Sequence, residues 1–239
     1  MDIVNYIFAA VALAFIPPLL WLWFWLREDA HPEPRREILA VFLAGMGGVV
    51  LAIILESNFF AANRFFQGVF GYGVFYLQII NIIGFAFLEE IIKTAAAFFT
   101  ALKSKYFDEP VDAMIYLVTA ALGFAALENV LFIGESLKAG LSQTVAVSAF
   151  RFINAVLLHI SGAAIIGAGF AFSFFHKERR LKEFALGIFF ATLLHALYNF
   201  FIIGNVGGEA ANQVLVTLLV VSGAVAALVL FEKAKRATI

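Results

Sequence analysis

Seven long apolar segments dominate the chain, and short polar stretches separate them. Each segment has about the 20 residues that a helix needs to cross the hydrocarbon core of a bilayer. The predicted segments are 3–26, 38–56, 74–102, 112–134, 145–175, 183–204 and 210–231. The sequence therefore predicts an all-α, multi-pass protein of the cell membrane, built as a bundle of about seven transmembrane helices.

The composition agrees with a membrane protein and excludes several other classes. Of the 239 residues, 63% are hydrophobic and 14% are charged, whereas soluble domains carry about 25% charged residues. No repeat or separate soluble domain is visible, so we expect residues 1–239 to form one integral-membrane domain. The chain has no cysteine, which excludes disulfides and thiolate sites. A net charge of -1 gives no reason to expect a nucleic-acid partner. The oligomeric state stays open.

The basic residues predict the orientation. Loops on the cytoplasmic side of a membrane protein are enriched in Lys and Arg. Of the 16 basic residues, 12 lie after segments one, three and five or in the C-terminal tail: Arg27, Arg35, Arg36, Lys103, Lys105, Lys177, Arg179, Arg180, Lys182, Lys233, Lys235 and Arg236. This asymmetry predicts an external N-terminus and a cytoplasmic C-terminus, which requires an odd number of spans.

Residues 57–73 read as an external loop rich in aromatic residues and glycine. One interpretation is an interfacial belt or a short amphipathic helix, since aromatic rings favour the membrane–water interface. The other is a lid beside a functional site.

Four consecutive segments carry ionisable residues at similar depth. An ionisable group inside the bilayer is expensive and is by default a functional candidate. The set comprises Glu89, Glu90 and Lys93 in the third segment, Glu128 in the fourth, Arg151 and His159 in the fifth, and His195 in the sixth. We expect these segments to surround a polar cavity open towards the outer side, with Glu89 facing His195. Small residues at 161–169 would allow close helix packing there.

Helical spacing refines this set and leaves structural alternatives open. Lys93 follows Glu90 by three positions and Glu89 by four, so it can pair with either. His195 and Asn199 share a face because they are four residues apart. A buried histidine can also be a simple interhelical hydrogen-bonding group, and Arg151 can be a pairing residue. Asp112 is predicted to cap the fourth segment.

Carboxylates and imidazoles in a dry site can activate water. A carboxylate with a neighbouring histidine can take a proton from water and return it to a leaving amine. Alternatively, His159, His195 and Glu128 form a His₂Glu set that suits a catalytic zinc, so the expected cofactor is none or one zinc ion. A third reading is a proton-coupled transporter, since Glu and His chains also relay protons.

The ordered motifs resemble the PrsW family of intramembrane proteases, which is related to the CAAX-processing and bacteriocin-processing membrane proteases. They are Glu89-Glu90-x-x-Lys93, Asp112 with Tyr116, the stretch Gly123-Phe124-Ala125-Ala126-Leu127-Glu128-Asn129, Arg151 leading to His159, and His195-x-x-x-Asn199. The resemblance implies a catalytic core within 74–204. It also implies cleavage of a membrane-anchored anti-sigma factor on its extracytoplasmic side.

The resemblance also implies roles for individual residues. Glu89 would be the water-activating base, with Glu90 orienting it or pairing with Lys93. Glu128 and His159 would assist as base or ligand, and His195 with Asn199 would hold the carbonyl oxygen. The supporting residues would be Lys93, Asn129, Arg151 and Asp112.

Overall fold

The structure is a computed structural model that describes residues 3–29, 31–204 and 208–237, which contain helices and no strand. The helices are α1 (Ile3–Arg27), α2 (Arg35–Phe70), α3 (Val74–Thr100), α4 (Asp112–Ser136), α5 (Leu141–Ile153), α6 (Ala155–Phe172), α7 (Arg180–Gly204) and α8 (Glu209–Arg236), with 3₁₀ turns at Leu137–Ala139 and Lys177–Arg179. Seven helical units are long and apolar enough to span a membrane, with α5 and α6 counting as one. The prediction of an all-α, seven-span membrane protein is confirmed.

Helix α2 runs much further than the sequence predicted. It contains 36 residues and continues to Phe70, so the prediction of a loop over 57–73 is wrong. Polar Ser57 and Asn58 do not end the helix because their side chains bond back to backbone carbonyls one turn earlier. The helix ends at Gly71, whose φ of 68° is a left-handed conformation that favours glycine.

The predicted fifth segment is two helices with a break between them. Asn154 separates α5 from α6. Its side-chain amide donates to the carbonyl of Phe150 at 3.2 Å, and such local bonds compete with regular helix geometry. The expectation of one continuous helix over 145–175 is therefore corrected.

Helices α4 and α6 form the centre of the bundle. Helix α4 packs against α1, α2 and α6, while α6 also packs against α7 and α8. The backbones of α2 and α4 approach closely, because a Cβ on Gly45 would lie 2.0 Å from the carbonyl oxygen of Ala120. A Cβ on Gly123 would meet the carbonyl of Phe42 at the same distance. Small residues thus let these helices pack at short range.

Glycine in α6 makes room for the polar centre, as the small-residue pattern predicted. A Cβ on Gly162 would lie 3.0 Å from Oε2 of Glu90. Helix α3 therefore brings its two glutamates directly against α6. The outer faces of the bundle are apolar, with Phe8, Phe70 and Val74 each more than 70% exposed, as suits contact with lipid.

Candidate active site

A cavity of about 470 Å³ lies where α2 to α7 converge. Its lining contains six of the residues that the sequence singled out, contributed by five helices: Glu89, Glu128, Arg151, His159, His195 and Asn199. Polar residues with separate structural roles would have no reason to line the same cavity. The depth-matched set predicted from the sequence is thus brought together.

Glu89 and His195 face each other across the cavity. Oε2 of Glu89 lies 3.8 Å from Nε2 of His195. The other ring nitrogen, Nδ1, lies 2.8 Å from Oε1 of Glu90. Since a carboxylate accepts, Nδ1 carries a proton and donates to Glu90, and Nε2 is the ring nitrogen that faces Glu89. The adjacent glutamates therefore have separate positions, one on each side of the imidazole.

Glu90 and Lys93 form the ion pair that their spacing predicted. Nζ of Lys93 lies 2.6 Å from Oε1 of Glu90, and both side chains are almost completely buried. The same Nζ lies 3.0 Å from Nδ1 of His159. An ammonium only donates, so Nδ1 of His159 accepts and its proton resides on Nε2. Lys93 therefore links the glutamate motif of α3 to the histidine of α6.

Glu128 is held by two partners on neighbouring helices. Nε2 of His159 donates to its Oε2 at 3.1 Å, and Nη2 of Arg151 donates to the same oxygen at 2.5 Å. Nε of Arg151 donates to Oδ1 of Asn129 at 2.6 Å. Asn129 in turn donates to the carbonyl of Ala14 in α1. Asn129 itself does not line the cavity and acts by positioning Arg151.

One carboxylate oxygen of each of the two adjacent glutamates has no hydrogen-bonding partner within the described residues. These atoms are Oε2 of Glu89 and Oε2 of Glu90, and both are buried. A buried carboxylate oxygen without a partner is costly. Ligand atoms of Glu89, His159 and His195 lie within 4.8 Å of one another. Two imidazoles and a carboxylate suit a catalytic zinc with an open position, so these residues fit a metal ion.

This set differs from the ligands predicted from the sequence, which were His159, His195 and Glu128. In the structure, Glu128 already accepts from Arg151 and His159. Glu89 has no such partner and faces His195 directly. The carboxylate whose ligand atom lies near both histidines is Glu89, while Glu128 also lines the cavity and is paired with Arg151 and His159.

Glu56 of α2 also lines the cavity, although nothing in the sequence pattern singled it out. Its Oε1 is buried and has no hydrogen-bonding partner in the described parts of the chain. The residue falls at the predicted end of segment 38–56, where a charge is unremarkable. Only the continuation of α2 beyond this point reveals that Glu56 faces inwards.

Asp112 lies far from the cavity and does not cap α4. The residue before the first turn is Val111, and no side chain caps the helix there. Asp112 instead accepts the backbone N–H groups of Asp108 and Glu109 at 3.0 and 2.7 Å. Nearby, the hydroxyl of Tyr116 donates to Glu33. Burial raises the pKa of Glu33 above its usual range, although this hydrogen bond opposes the rise. Asp112 thus fixes the loop before α4.

The chain is similar in sequence to a family of known membrane proteases. The model of a family described as "PrsW family intramembrane metalloprotease" matches residues 33–228. Protease PrsW of Clostridioides difficile (strain 630) is 29% identical over 192 residues, covering 79% of this chain and 76% of the relative. Protease PrsW of Bacillus subtilis (strain 168) is 27% identical over 204 residues, covering 81% and 82% respectively. No solved structure matches the chain.

The matched region spans α2 to most of α8 and therefore contains every residue of the cavity. The relatives carry a protease name, and this favours a protease over a proton-coupled transporter. The chain belongs to the PrsW family of intramembrane metalloproteases and is a multi-pass intramembrane protease.

Proposed function

We propose that this protease is an endopeptidase that cuts a membrane-anchored protein at the Glu89–His195 pair, with a substrate of the anti-sigma-factor type and a site-1-type cleavage. The observation that carries the proposal is Oε2 of Glu89, which is buried in the cavity without a hydrogen-bonding partner among the described residues and lies 3.8 Å from Nε2 of His195. A water molecule or a metal ion between the two groups would satisfy both.

Glu89 is the group that takes the proton from the attacking water. The carboxylate is desolvated, which strengthens it as a base. His195 lies on the other side of the attacking water and provides a second acceptor for its hydrogen bonds. Once the peptide carbonyl has been attacked, the proton passes to the leaving amine. Glu90 keeps the Nδ1 proton of His195 in place, so its Nε2 stays available.

Asn199 is positioned to stabilise the oxyanion. It follows His195 by one helical turn and lines the cavity. Its amide makes no hydrogen bond within the described residues, so its N–H groups are available to the carbonyl oxygen of the substrate.

A zinc ion would be held by Glu89, His159 and His195. When bound, such an ion polarises the carbonyl and lowers the pKa of water. A carboxylate has two oxygens, so Glu89 can ligate through one and accept a proton through the other. His159 would exchange one of its present hydrogen bonds for the metal.

Replacing Glu89 with Gln tests the proposal. We expect at least a ~100-fold loss of cleavage, the lower end of what a general base contributes. The membrane proteome of cells with the variant should then accumulate a single-span protein that wild-type cells process. The matched control is Glu135→Gln, since Glu135 is an exposed glutamate paired with Lys138.

Wild-type processing by a correctly inserted Glu89→Gln protein would overturn the assignment. In proteoliposomes, a proton flux without any peptide product would favour the transporter alternative.

A further inference from the structure

A second cavity lies at the opposite end of the bundle, between α3 and the start of α7. It has a volume of about 500 Å³, and its walls are largely apolar and aromatic. Its lining includes Ile91 and Phe98 of α3 and Phe184 of α7, together with Lys177 and Arg180. This cavity, called the groove below, is therefore mainly apolar and has two cations in its lining.

A more polar cavity of about 710 Å³ adjoins this groove. It shares Lys177 and Arg180 with the groove and adds Lys103, Ser104 and Glu178. Three cations thus face one acid, and that acid lies near His176 and Arg179. None of the three cations forms a salt bridge in the parts of the chain that the structure describes. This more polar cavity, called the basin below, therefore carries more positive than negative charge.

Arg180 gives an independent sign that a partner belongs here. Its Nε is buried and has no hydrogen-bonding partner among the described residues. A guanidinium has five N–H donors that match phosphate oxygens. A buried N–H without an acceptor is costly, so a phosphate in the basin would supply what the protein lacks.

The position of the site indicates the kind of ligand. It lies where α3 ends and α7 begins, on the side that holds most basic residues and is predicted to face the cytoplasm. Phe99 and Leu181, which line the groove, are 70% and 78% exposed and would face lipid. Basic pockets between transmembrane helices at this level suit acidic headgroups.

We propose that this site binds an anionic phospholipid. Its phosphate contacts Lys177 and Arg180, and one acyl chain lies in the groove between α3 and α7. The occupant would bridge the two helices that carry Glu89 and His195, so it would stabilise their mutual position. The binding itself does not depend on the proposed function.

Lipid binding to the detergent-purified full-length protein tests the proposal. Native mass spectrometry and thermal unfolding would compare phosphatidylglycerol, phosphatidylcholine and inorganic phosphate. We expect one tightly bound phosphatidylglycerol that raises the unfolding temperature. Lys177→Gln/Arg180→Gln should weaken its binding about 30-fold, at the usual contribution of each cation near an acidic lipid.

Two further variants make the test specific. Lys182→Gln/Lys233→Gln removes the same charge from exposed positions outside both cavities and should leave binding unchanged. If the double Gln variant folds poorly, the variant Lys177→Arg/Arg180→Lys takes its place in the test. It keeps both positive charges and should still bind the lipid. Equal binding of phosphatidylcholine would overturn the proposal, as would full binding by a folded double Gln variant. Stabilisation by phosphate alone to the same extent would instead make this a free-anion site.

Discussion

At the scale of single residues, a buried chain of charged and polar groups joins four helices, α3, α4, α5 and α6. It runs from Glu90 through Lys93 and His159 to Glu128 and Arg151, with every neighbour within 3.1 Å. Removing one member of a buried ionic network leaves its partner uncompensated, whereas removing both can be nearly neutral. The chain is thus a structural support for the cavity as well as part of its lining.

Lys93→Met should destabilise the protein strongly. The change removes the cation that pairs with Glu90, which keeps only its hydrogen bond from His195, and it leaves Nδ1 of His159 without a donor. Losing one partner of a buried pair costs about 3–5 kcal/mol. Unfolding of the detergent-solubilised protein by SDS titration measures this. The double variant Lys93→Met/Glu90→Gln should recover part of the loss, because the unpaired negative charge is gone. A single variant as stable as wild type would contradict a paired role for Lys93.

Metal content distinguishes two hypotheses for Glu89, a base that also ligates zinc and a base that acts without a metal. We expect the purified protein to contain about one zinc equivalent, as a three-donor catalytic site holds. Chelation should abolish cleavage, and added zinc should restore it. His159→Ala and His195→Ala should each lower the metal content, whereas His176→Ala, an exposed histidine, should not. Full activity in protein that lacks metal would leave Glu89 as an unaided base.

Residue spacing predicted some contacts and not others. The Glu90–Lys93 pair follows from helical geometry alone, because both residues lie on one helix. The contact of Lys93 with His159 does not, since it depends on how α3 packs against α6. For the same reason the sequence could not tell whether Glu89 or Glu128 accompanies the histidines. Glu56 was missed because its importance depends on the length of α2.

At the scale of elements, the contact between α2 and α4 depends on two glycines. Gly45 and Gly123 each face a backbone carbonyl of the other helix, at a distance that leaves no space for a methyl group. Helix α4 supplies Glu128, so this contact also sets the depth of one wall of the cavity.

Gly45→Ala should destabilise the protein by about 1–3 kcal/mol, the range for overpacking a close contact. The matched control is Gly47→Ala on the same helix, where an added Cβ meets no atom within 4 Å. That change should be neutral or stabilising by up to about 1 kcal/mol, because alanine favours helix more than glycine does. Chemical unfolding in detergent compares the two. Similar stability of both variants would argue against the close α2–α4 contact.

Helix boundaries were the least predictable feature of the elements. Apolar length gave the seven spans correctly, since it follows from bilayer thickness. The extension of α2 to Phe70 and the break at Asn154 were not visible. Both depend on how polar side chains bond to nearby carbonyls, and hydropathy does not report such bonds.

At the scale of the whole molecule, the distribution of basic residues predicts which side faces the cytoplasm. The chain has no cysteine, so single introduced thiols report orientation without background. Lys138→Cys lies in the turn between α4 and α5, and Lys182→Cys lies near the start of α7. In intact cells, a membrane-impermeant maleimide should label the first and not the second. The reverse pattern would invert the topology and place the cavity on the cytoplasmic side.

The break at Asn154 makes α5 a separate rod in the wall of the cavity. Of its 13 residues, Thr144, Ser148 and Arg151 are buried, and Val147 and Phe150 pack partly buried against the bundle. Arg151 fastens this rod to Glu128 in the cavity itself. We expect that a substrate entering sideways from the bilayer past α5 would have to break this salt bridge, which would free the guanidinium of Arg151 beside the carboxylates of the cavity. On this hypothesis, entry of the substrate would change the charge around Glu128 in the same step.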